Sequence, residues 1–468
     1  MILALAATLA IVVQDHTSLR AAPASSATEM TALWQGDVVE IRGERADYLK
    51  IYNYRRERGG YLKREAVRPV GLTEADAPEL LAVLRFLRES PGSEALGISY
   101  GAAYLKAVPT RSLTAEPFDA IARMAERLAD AASGNTNHPS NVAAHLEVVE
   151  QFGVHMHSFE RNSRIQVCYD GELFRRALSQ TRASAEERAH AALGLTRPDC
   201  IDPNLGPVQR TSLDDERREL LDRIEERELS AMTRSRLHAR RAGVWASIAY
   251  ERARRREAPE LAAQRAFSEL LAVHPNDLGD DRQAEYVDAA LRVSAIRWAT
   301  MTPGKQAGPF TLSSSPGEPG QTCIALEDAH RERAATLVRR CTYGIVWMAS
   351  AQAIPQGPAL VLAVQPLESW RELWVFHETA GTWTVDVLSP AGVDDPEQGY
   401  VEFAGFVPGT RRLLIVREVK DHSRFRRRFE ELRLDDLAPV RQASTPELLR
   451  DFGRWQDVEW RRNTLALR

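Results

Sequence analysis

A series of short β-strands near the N-terminus constrains the fold of this chain more than any other feature. Residues 11–70 alternate apolar and polar side chains at the two-residue period of a strand. The apolar positions, most of them β-branched, include Val38, Ile41, Leu49 and Ile51. Gly36-Asp37 and Arg42-Gly43 are typical of the turns between strands. Several short strands at this spacing predict a small β-barrel or sandwich.

The same segment resembles the bacterial SH3 domain at four places. Residues 18–23 (SLRAAP) are similar to the family's N-V-R-S-G-P opening, and residues 35–41 (QGDVVEI) to its K-G-x-x-V-x-V segment. Residues 46–51 (ADYLKI) resemble the x-G-W-x-K-V strand, and residues 60–62 (GYL) resemble the closing G-W-V. The resemblance covers about an eighth of the chain. It implies an SH3-like β-barrel that tethers or recognises, carried by an exported protein.

The aromatic side chains of this module are the best candidate for a functional surface. Tyr48, Tyr52 and Tyr54 alternate along one predicted strand and are therefore expected to project to the same side. Such rings make flat contact surfaces for peptides or glycans. The adjoining loop carries three arginines suited to carboxylate partners, Arg55, Arg56 and Arg58. The alternative is that about half of the module's aromatic rings fill the barrel.

The apolar N-terminus predicts export. Residues 1–10 have the short apolar core of a secretory signal, and we interpret them as a signal peptide remnant. The alternative is a buried first β-strand in a cytosolic protein. Charged residues interrupt every later apolar run, so no transmembrane span is expected. The expected location is the periplasm or another exported compartment.

Four cysteines favour two local disulfides. Cys168 and Cys200 flank one helical segment, and Cys323 and Cys341 flank another. Pairing by neighbourhood suits an oxidising periplasm, although four cysteines allow three connectivities. The alternative is four buried thiols. A zinc site is not expected because the chain contains no CxxC pair.

The rest of the chain predicts a helical domain followed by a β domain. Residues 71–301 have the apolar period of amphipathic helices arranged as hairpins. Residues 302–322 are rich in Gly, Pro, Ser and Thr, which is typical of a linker. Residues 323–468 alternate strands with turns and end in a helix, so an antiparallel β domain is expected, as an open sheet, a sandwich or a partial propeller. The predicted class is multidomain α+β.

No motif in the sequence specifies a reaction. Neither GxSxG nor GxxxxGK[ST] occurs. The strongest metal candidates are His155 and His157, with His138 and His145 upstream. Their segment predicts a helix running into a turn, where positions i and i+2 face apart, so we interpret them as ordinary histidines. No metal and no cofactor are therefore predicted.

The predicted function is non-enzymatic binding. The chain has 61 basic and 65 acidic residues, a near balance that argues against a nucleic-acid partner. The SH3 resemblance implies that the protein binds a cell-envelope polymer or a protein partner. Two alternatives stay open: a periplasmic envelope hydrolase, and a helical scaffold for protein assembly.

Overall fold

The computed structural model describes residues 8–134, 139–161, 163–279, 283–301, 310–328, 336–353, 359–390, 398–421 and 424–463. The chain forms two compact units. Unit 1 contains Met1–Gly206 and Arg223–Thr233, and unit 2 contains Pro207–Asp222 and Arg234–Arg468. The helices found within residues 71–301 are therefore divided between the two units.

Unit 1 begins with an antiparallel sheet of seven short strands. These are β1 (Thr8–Val12), β2 (Thr17–Arg20), β3 (Glu29–Leu33), β4 (Val38–Arg45), β5 (Tyr48–Asn53), β6 (Arg58–Lys63) and β7 (Val67–Val70). Their order across the sheet is β3-β2-β6-β5-β4-β1-β7. No ladder joins β3 to β7 within residues 8–70, so the sheet is open there. The prediction of a module of short β-strands at the N-terminus is confirmed, but the predicted closed barrel was wrong, because the antiparallel sheet is open.

Strand β1 lies inside this sheet, although residues 8–10 belong to the segment interpreted as a signal remnant. Ala10 pairs with Val39 of β4 on one side and with Pro69 of β7 on the other. Its side chain is fully buried. Residues 1–7 lie outside the described residues. Residues 8–12 are therefore an integral part of the folded sheet.

The open sheet curls around one apolar core, to which all seven strands contribute. The core residues are Ala10, Val12, Leu19, Leu33, Val39, Leu49, Ile51, Leu62 and Val67. Strand β5 shows the pattern that produces it, because Leu49 and Ile51 are buried while Lys50 between them is exposed. The period of two read from the sequence thus sorts the side chains from Leu49 to Asn53, whereas Tyr48 at the start of β5 is buried as well.

The rest of unit 1 is helical, with one β-hairpin that helical periodicity did not predict. Its helices are α1 (Ala77–Arg88), α2 (Glu94–Ala107), α3 (Glu116–Ser133), α4 (Pro139–Glu150), α5 (Glu172–Ser179) and α6 (Ala185–Leu195). The hairpin consists of β8 (Met156–Arg161) and β9 (Arg164–Tyr169). Helices α2 and α3 pack closely, because a Cβ atom at Gly97 would lie 2.3 Å from Met124 Sδ.

The described residues of unit 2 form helices and two sheets. The helices before the sheets are α7 (Pro207–Asp222), α8 (Ala231–Arg254, whose first three residues belong to unit 1), α9 (Glu260–Leu271) and α10 (Gln283–Ile296), and a 3-10 turn at Arg297–Thr300 follows α10. A three-stranded sheet contains β10 (Phe310–Pro316), β11 (Thr322–Asp328) and β12 (Thr336–Thr342). Part of the predicted linker is thus strand β10, and residues 302–309 lie outside the described residues.

The second sheet of unit 2 has eight strands and forks at β15. Its strands are β13 (Ile345–Ala353), β14 (Ala359–Leu367), β15 (Trp370–Thr379), β16 (Thr382–Leu388), β17 (Gly399–Val407), β18 (Arg412–Asp421), β19 (Arg424–Arg433) and β20 (Pro439–Ala443). The start of β15 pairs in parallel with β17, and its remainder pairs antiparallel with β16. All other pairings are antiparallel. Helices α11 (Arg450–Trp455) and α12 (Val458–Asn463) follow.

A buried carboxylate attaches the helices of unit 2 to this sheet. Glu368 Oε1 accepts a hydrogen bond from Arg292 Nη1 of α10 at 2.6 Å, and Oε2 accepts one from Arg210 Nη2 of α7 at 3.0 Å. Burial would raise the pKa of Glu368, but the charges of Arg292 and Arg210 hold it at about 2. The carboxylate therefore stays ionised.

Both predicted disulfides are present. Cys168 of β9 is bonded to Cys200, and Cys323 of β11 is bonded to Cys341 of β12. The second pair joins residues that lie directly opposite each other in the β11–β12 ladder. Each bond lies within one unit. No helix in the described part of the chain is long and apolar enough to cross a membrane.

Candidate functional site

The exposed face of the β4–β5 pair carries an ordered aromatic cluster. The ladder sets Glu40 of β4 directly opposite Tyr52 of β5. The register then shifts between Ile41 and Gly43, which leaves Arg42 without a ladder partner. Such a bulge twists the strand locally and re-aims its side chains. The sequence reading of Arg42-Gly43 as a turn was wrong, because both residues lie within β4.

Four side chains converge on this face: Glu40, Arg42, Tyr52 and Tyr54. We call them the Tyr54 platform. The Tyr52 and Tyr54 rings meet edge to face, with centroids 5.0 Å apart. The Arg42 guanidinium lies 4.1 Å from the Tyr52 centroid, within the range of a cation–π interaction. The two rings and the guanidinium thus form one contact surface.

Glu40 holds the platform together by hydrogen bonding. Its Oε2 accepts from Arg42 Nε at 2.7 Å and from the Tyr54 hydroxyl at 3.0 Å. The bonds from Arg42 and Tyr54 lower the pKa of Glu40, and the bond to Glu40 raises the pKa of Arg42. The ion pair is therefore charged at neutral pH. The Tyr54 ring, still 62% exposed, is oriented by its own hydroxyl.

The structure brings Tyr52 and Tyr54 together but separates them from the third predicted tyrosine. Tyr48 lies at the opposite end of β5, paired with Lys63 and Arg45, and is 8% exposed. A buried ring cannot present a face to a ligand. Tyr48 therefore belongs to the structural part of the module.

Two of the predicted arginines, Arg55 and Arg58, make side-chain bonds within the protein away from the Tyr54 platform. Arg55 binds Asp37 through Nη2 at 3.1 Å, and its Nη1 donates to the Glu147 carbonyl oxygen at 3.2 Å. Arg58 Nη1 donates to the carbonyl oxygen of Met30. The backbone N–H of Arg56 donates to Asn53 Oδ1 at 2.8 Å. Arg55 thus joins the sheet to α4.

Sequence reasoning missed Glu40 and Arg42. The available signal was a Glu-x-Arg pair on β4 and a Tyr-x-Tyr pair at the end of β5, with Glu40 opposite Tyr52. Reading it required the register of the β4–β5 hairpin, because a one-residue slip would move Glu40 away from Tyr52. The misread turn at Arg42-Gly43 concealed that register.

The candidate histidines do not form a metal site in the described structure. His145 Nε2 lies 2.7 Å from Asp15 Oδ1. His155 is exposed just before β8, and His157 is exposed within it, so the predicted helix running into a turn was wrong at this point. His138 lies outside the described residues. No group of three or more His, Cys, Asp or Glu residues suited to a metal ion occurs in the described part of the chain.

Comparison with protein-family models, with curated proteins and with solved structures found no match to this chain.

Proposed function

We propose that this protein is a non-enzymatic recognition protein of the cell envelope, which binds envelope polymer through the Tyr54 platform. The observation that carries the proposal is an exposed aromatic ring fixed by its neighbours. Tyr54 is 62% exposed, yet it contacts Tyr52 and donates to Glu40. A ring ordered before binding loses little conformational freedom when a ligand stacks on it.

The composition of the platform favours a polymer that combines sugar rings with peptide. The exposed face of Tyr54 suits stacking against an apolar sugar face. The Arg42–Glu40 pair offers both a donor group and acceptor oxygens beside it. The resemblance to bacterial SH3 domains supports the same class of ligand.

Export is part of the proposal, and the disulfides support it. Bonds such as Cys168–Cys200 and Cys323–Cys341 persist in oxidising compartments and are rare in the cytosol. Any processing of a leader must spare residues 8–12, because β1 pairs with both β4 and β7.

The test is co-sedimentation of the full chain with purified, insoluble cell-wall sacculi. Tyr54→Ala is expected to weaken binding about tenfold, as truncation of an aromatic anchor typically does. The matched control is Tyr343→Ala. Tyr343 is 60% exposed and its hydroxyl also donates to a glutamate, Glu318, at 3.0 Å.

Two outcomes would contradict the proposal. One is that the Tyr54→Ala protein sediments like the wild type. The other is that Tyr343→Ala loses as much binding as Tyr54→Ala, which would indicate nonspecific adhesion of exposed aromatic rings. A wild-type protein that binds a protein from envelope extract but not sacculi would assign the platform to a protein partner instead.

A further inference from the structure

The exposed face that carries the Tyr54 platform continues toward the other end of the β4–β5 pair. Lys50 lies two residues before Tyr52 on β5, so both side chains leave the sheet on the same side. The ladder sets Lys50 directly opposite Gly43 of β4. Arg45 lies two residues after Gly43 on β4 and faces the same side. We call Gly43, Arg45 and Lys50 the Lys50 shelf.

The shelf is open above Gly43. A Cβ atom built on this glycine would meet no heavy atom within 4 Å, its chain neighbours apart. The side chains of Lys50 and Arg45 are both exposed. Diagonal neighbours on one face of an antiparallel pair are within reach of long side chains. Lys50 and Arg45 can therefore both contact a group that lies over Gly43.

The shelf carries two positive charges that no described carboxylate neutralises. Neither Lys50 nor Arg45 forms an ion pair or a side-chain hydrogen bond in the described part of the chain. Three nearby cations do have partners. These pairs are Arg42 with Glu40, Arg64 with Glu44 and Lys63 with Glu65. Two cations beside a gap, with no counter-charge of their own, favour an anion as the occupant.

We propose that the Lys50 shelf binds a carboxylate of a peptide carried by the polymer whose sugar ring stacks on Tyr54. This inference rests on the proposed function and names the acidic group that the same face recognises. The two oxygens of a carboxylate suit one donor side chain each from Lys50 and Arg45. A strand rises about 3.4 Å per residue, so the Cα atoms of Lys50 and Tyr54 are at most about 14 Å apart. A short extended peptide attached to the stacked sugar spans that distance.

The test compares co-sedimentation of the full chain with two preparations of sacculi. One preparation is native, and in the other a carbodiimide and methylamine have converted the carboxylates into amides. The wild type should bind the amidated sacculi about fivefold more weakly, because two exposed ion pairs are lost. The double variant Lys50→Gln with Arg45→Gln should bind native sacculi about fivefold more weakly than the wild type. It should also bind both preparations equally, because the cations and the carboxylate are the two halves of one interaction.

The matched control is the double variant Lys106→Gln with Arg111→Gln. Lys106 on α2 and Arg111 in the 3-10 turn that follows are both exposed. They are five residues apart, as are Arg45 and Lys50, and they form no ion pair in the described part of the chain. This control should bind each preparation like the wild type. Melting of both double variants should match that of the wild type, because all four side chains are exposed.

Two results would overturn the shelf alone. One is equal binding of the wild type to native and amidated sacculi, a comparison that requires no variant. The other is equal loss in the two double variants, which would indicate general attraction between cations and an acidic polymer. Tyr54→Ala, measured alongside, separates this inference from the proposed function. If Tyr54→Ala weakens binding while the variant of Lys50 and Arg45 binds like the wild type, the platform stands and the shelf is overturned. A wild type that binds neither preparation would overturn both.

Discussion

Arg55 Nη2 lies 3.1 Å from Oδ1 of Asp37, whose side chain has no exposed surface. Asp37 Oδ2 also accepts the backbone N–H of Trp34, so the carboxylate organises the loop before β4. Arg55 reaches Glu147 of α4 with its other nitrogen. Arg55, which the sequence analysis predicted to bind ligand, thus connects the loop before β4 to α4 within unit 1.

Arg55→Ala is therefore expected to destabilise the protein without a specific effect on ligand affinity. The change leaves the buried Asp37 carboxylate without its cation, at a cost of about 1–3 kcal/mol. Urea unfolding measures the loss. The control is Arg58→Ala, which removes an exposed side chain and should leave the midpoint nearly unchanged. Equal midpoints for the two variants would contradict the assignment.

Arg42→Ala is expected to weaken binding to sacculi while leaving the melting temperature unchanged. Arg42 is exposed on the bulge of β4. Its removal takes away the guanidinium contact with the Tyr52 and Tyr54 rings. Binding should fall several-fold because the platform loses its order before ligand contact. Co-sedimentation and melting are measured on the same preparation. A drop in melting temperature that accounts for the lost binding would show that Arg42 is structural.

Asp119 of α3 is expected to make the stability of unit 1 depend on pH. Its Oδ1 has no donor among the described residues, and Arg123 and His190 lie 3.9 Å from Oδ2. Burial raises the pKa of Asp119 from 3.8 to about 7. The folded state thus holds this proton more tightly than the unfolded state. The resulting stability is fully present below about pH 4 and is lost as the pH rises through 7.

Asp119→Asn should remove this dependence. The free energy of unfolding of the variant, relative to that of the wild type, should increase from pH 4 to pH 7. Above pH 7 the difference should stay constant at about 2–4 kcal/mol. Unfolding curves at pH 5 and pH 8 measure the difference. Asp215→Asn, a change at an exposed carboxylate, should show no such gain. A constant difference between Asp119→Asn and the wild type across this range would show that Asp119 is ionised throughout.

Removing either disulfide should destabilise the unit that contains it. The bonds close loops with sequence separations of 32 and 18 residues, which the chain-entropy account values at about 3 kcal/mol each. Paired Cys→Ala variants followed by hydrogen exchange would locate each effect. Cys168→Ala with Cys200→Ala should loosen β9, and Cys323→Ala with Cys341→Ala should loosen β11. Mass spectrometry of a non-reduced digest checks the pairing, and any crossed linkage would contradict it.

Local patterns predicted the elements whose partners are close in sequence. The alternation at Leu49 and Ile51 identified the inward face of β5, because strand geometry sets that period. Closeness in the sequence identified the disulfide between Cys168 and Cys200. Both predictions used only the distances between residues along the chain.

Features set by distant contacts were not predictable. Arg55 turns inward because Glu147 lies on α4, which is 92 residues further along the chain. Leu9 and Ala10 suit both the end of a secretory signal and an interior strand, so composition cannot separate the two. In unit 2, Glu402 accepts hydrogen bonds from Arg297 and Trp460, which are far apart in the sequence and meet only in the folded protein.

The most direct test of the central claim is hydrogen exchange of the full chain with and without soluble peptidoglycan fragments. If the Tyr54 platform binds the fragments, they should slow amide exchange in β4 and β5 alone. This protection should be lost in Tyr54→Ala and kept in Tyr343→Ala. Protection that appears elsewhere in the chain, or equally in both variants, would contradict the assignment of this face as the recognition surface.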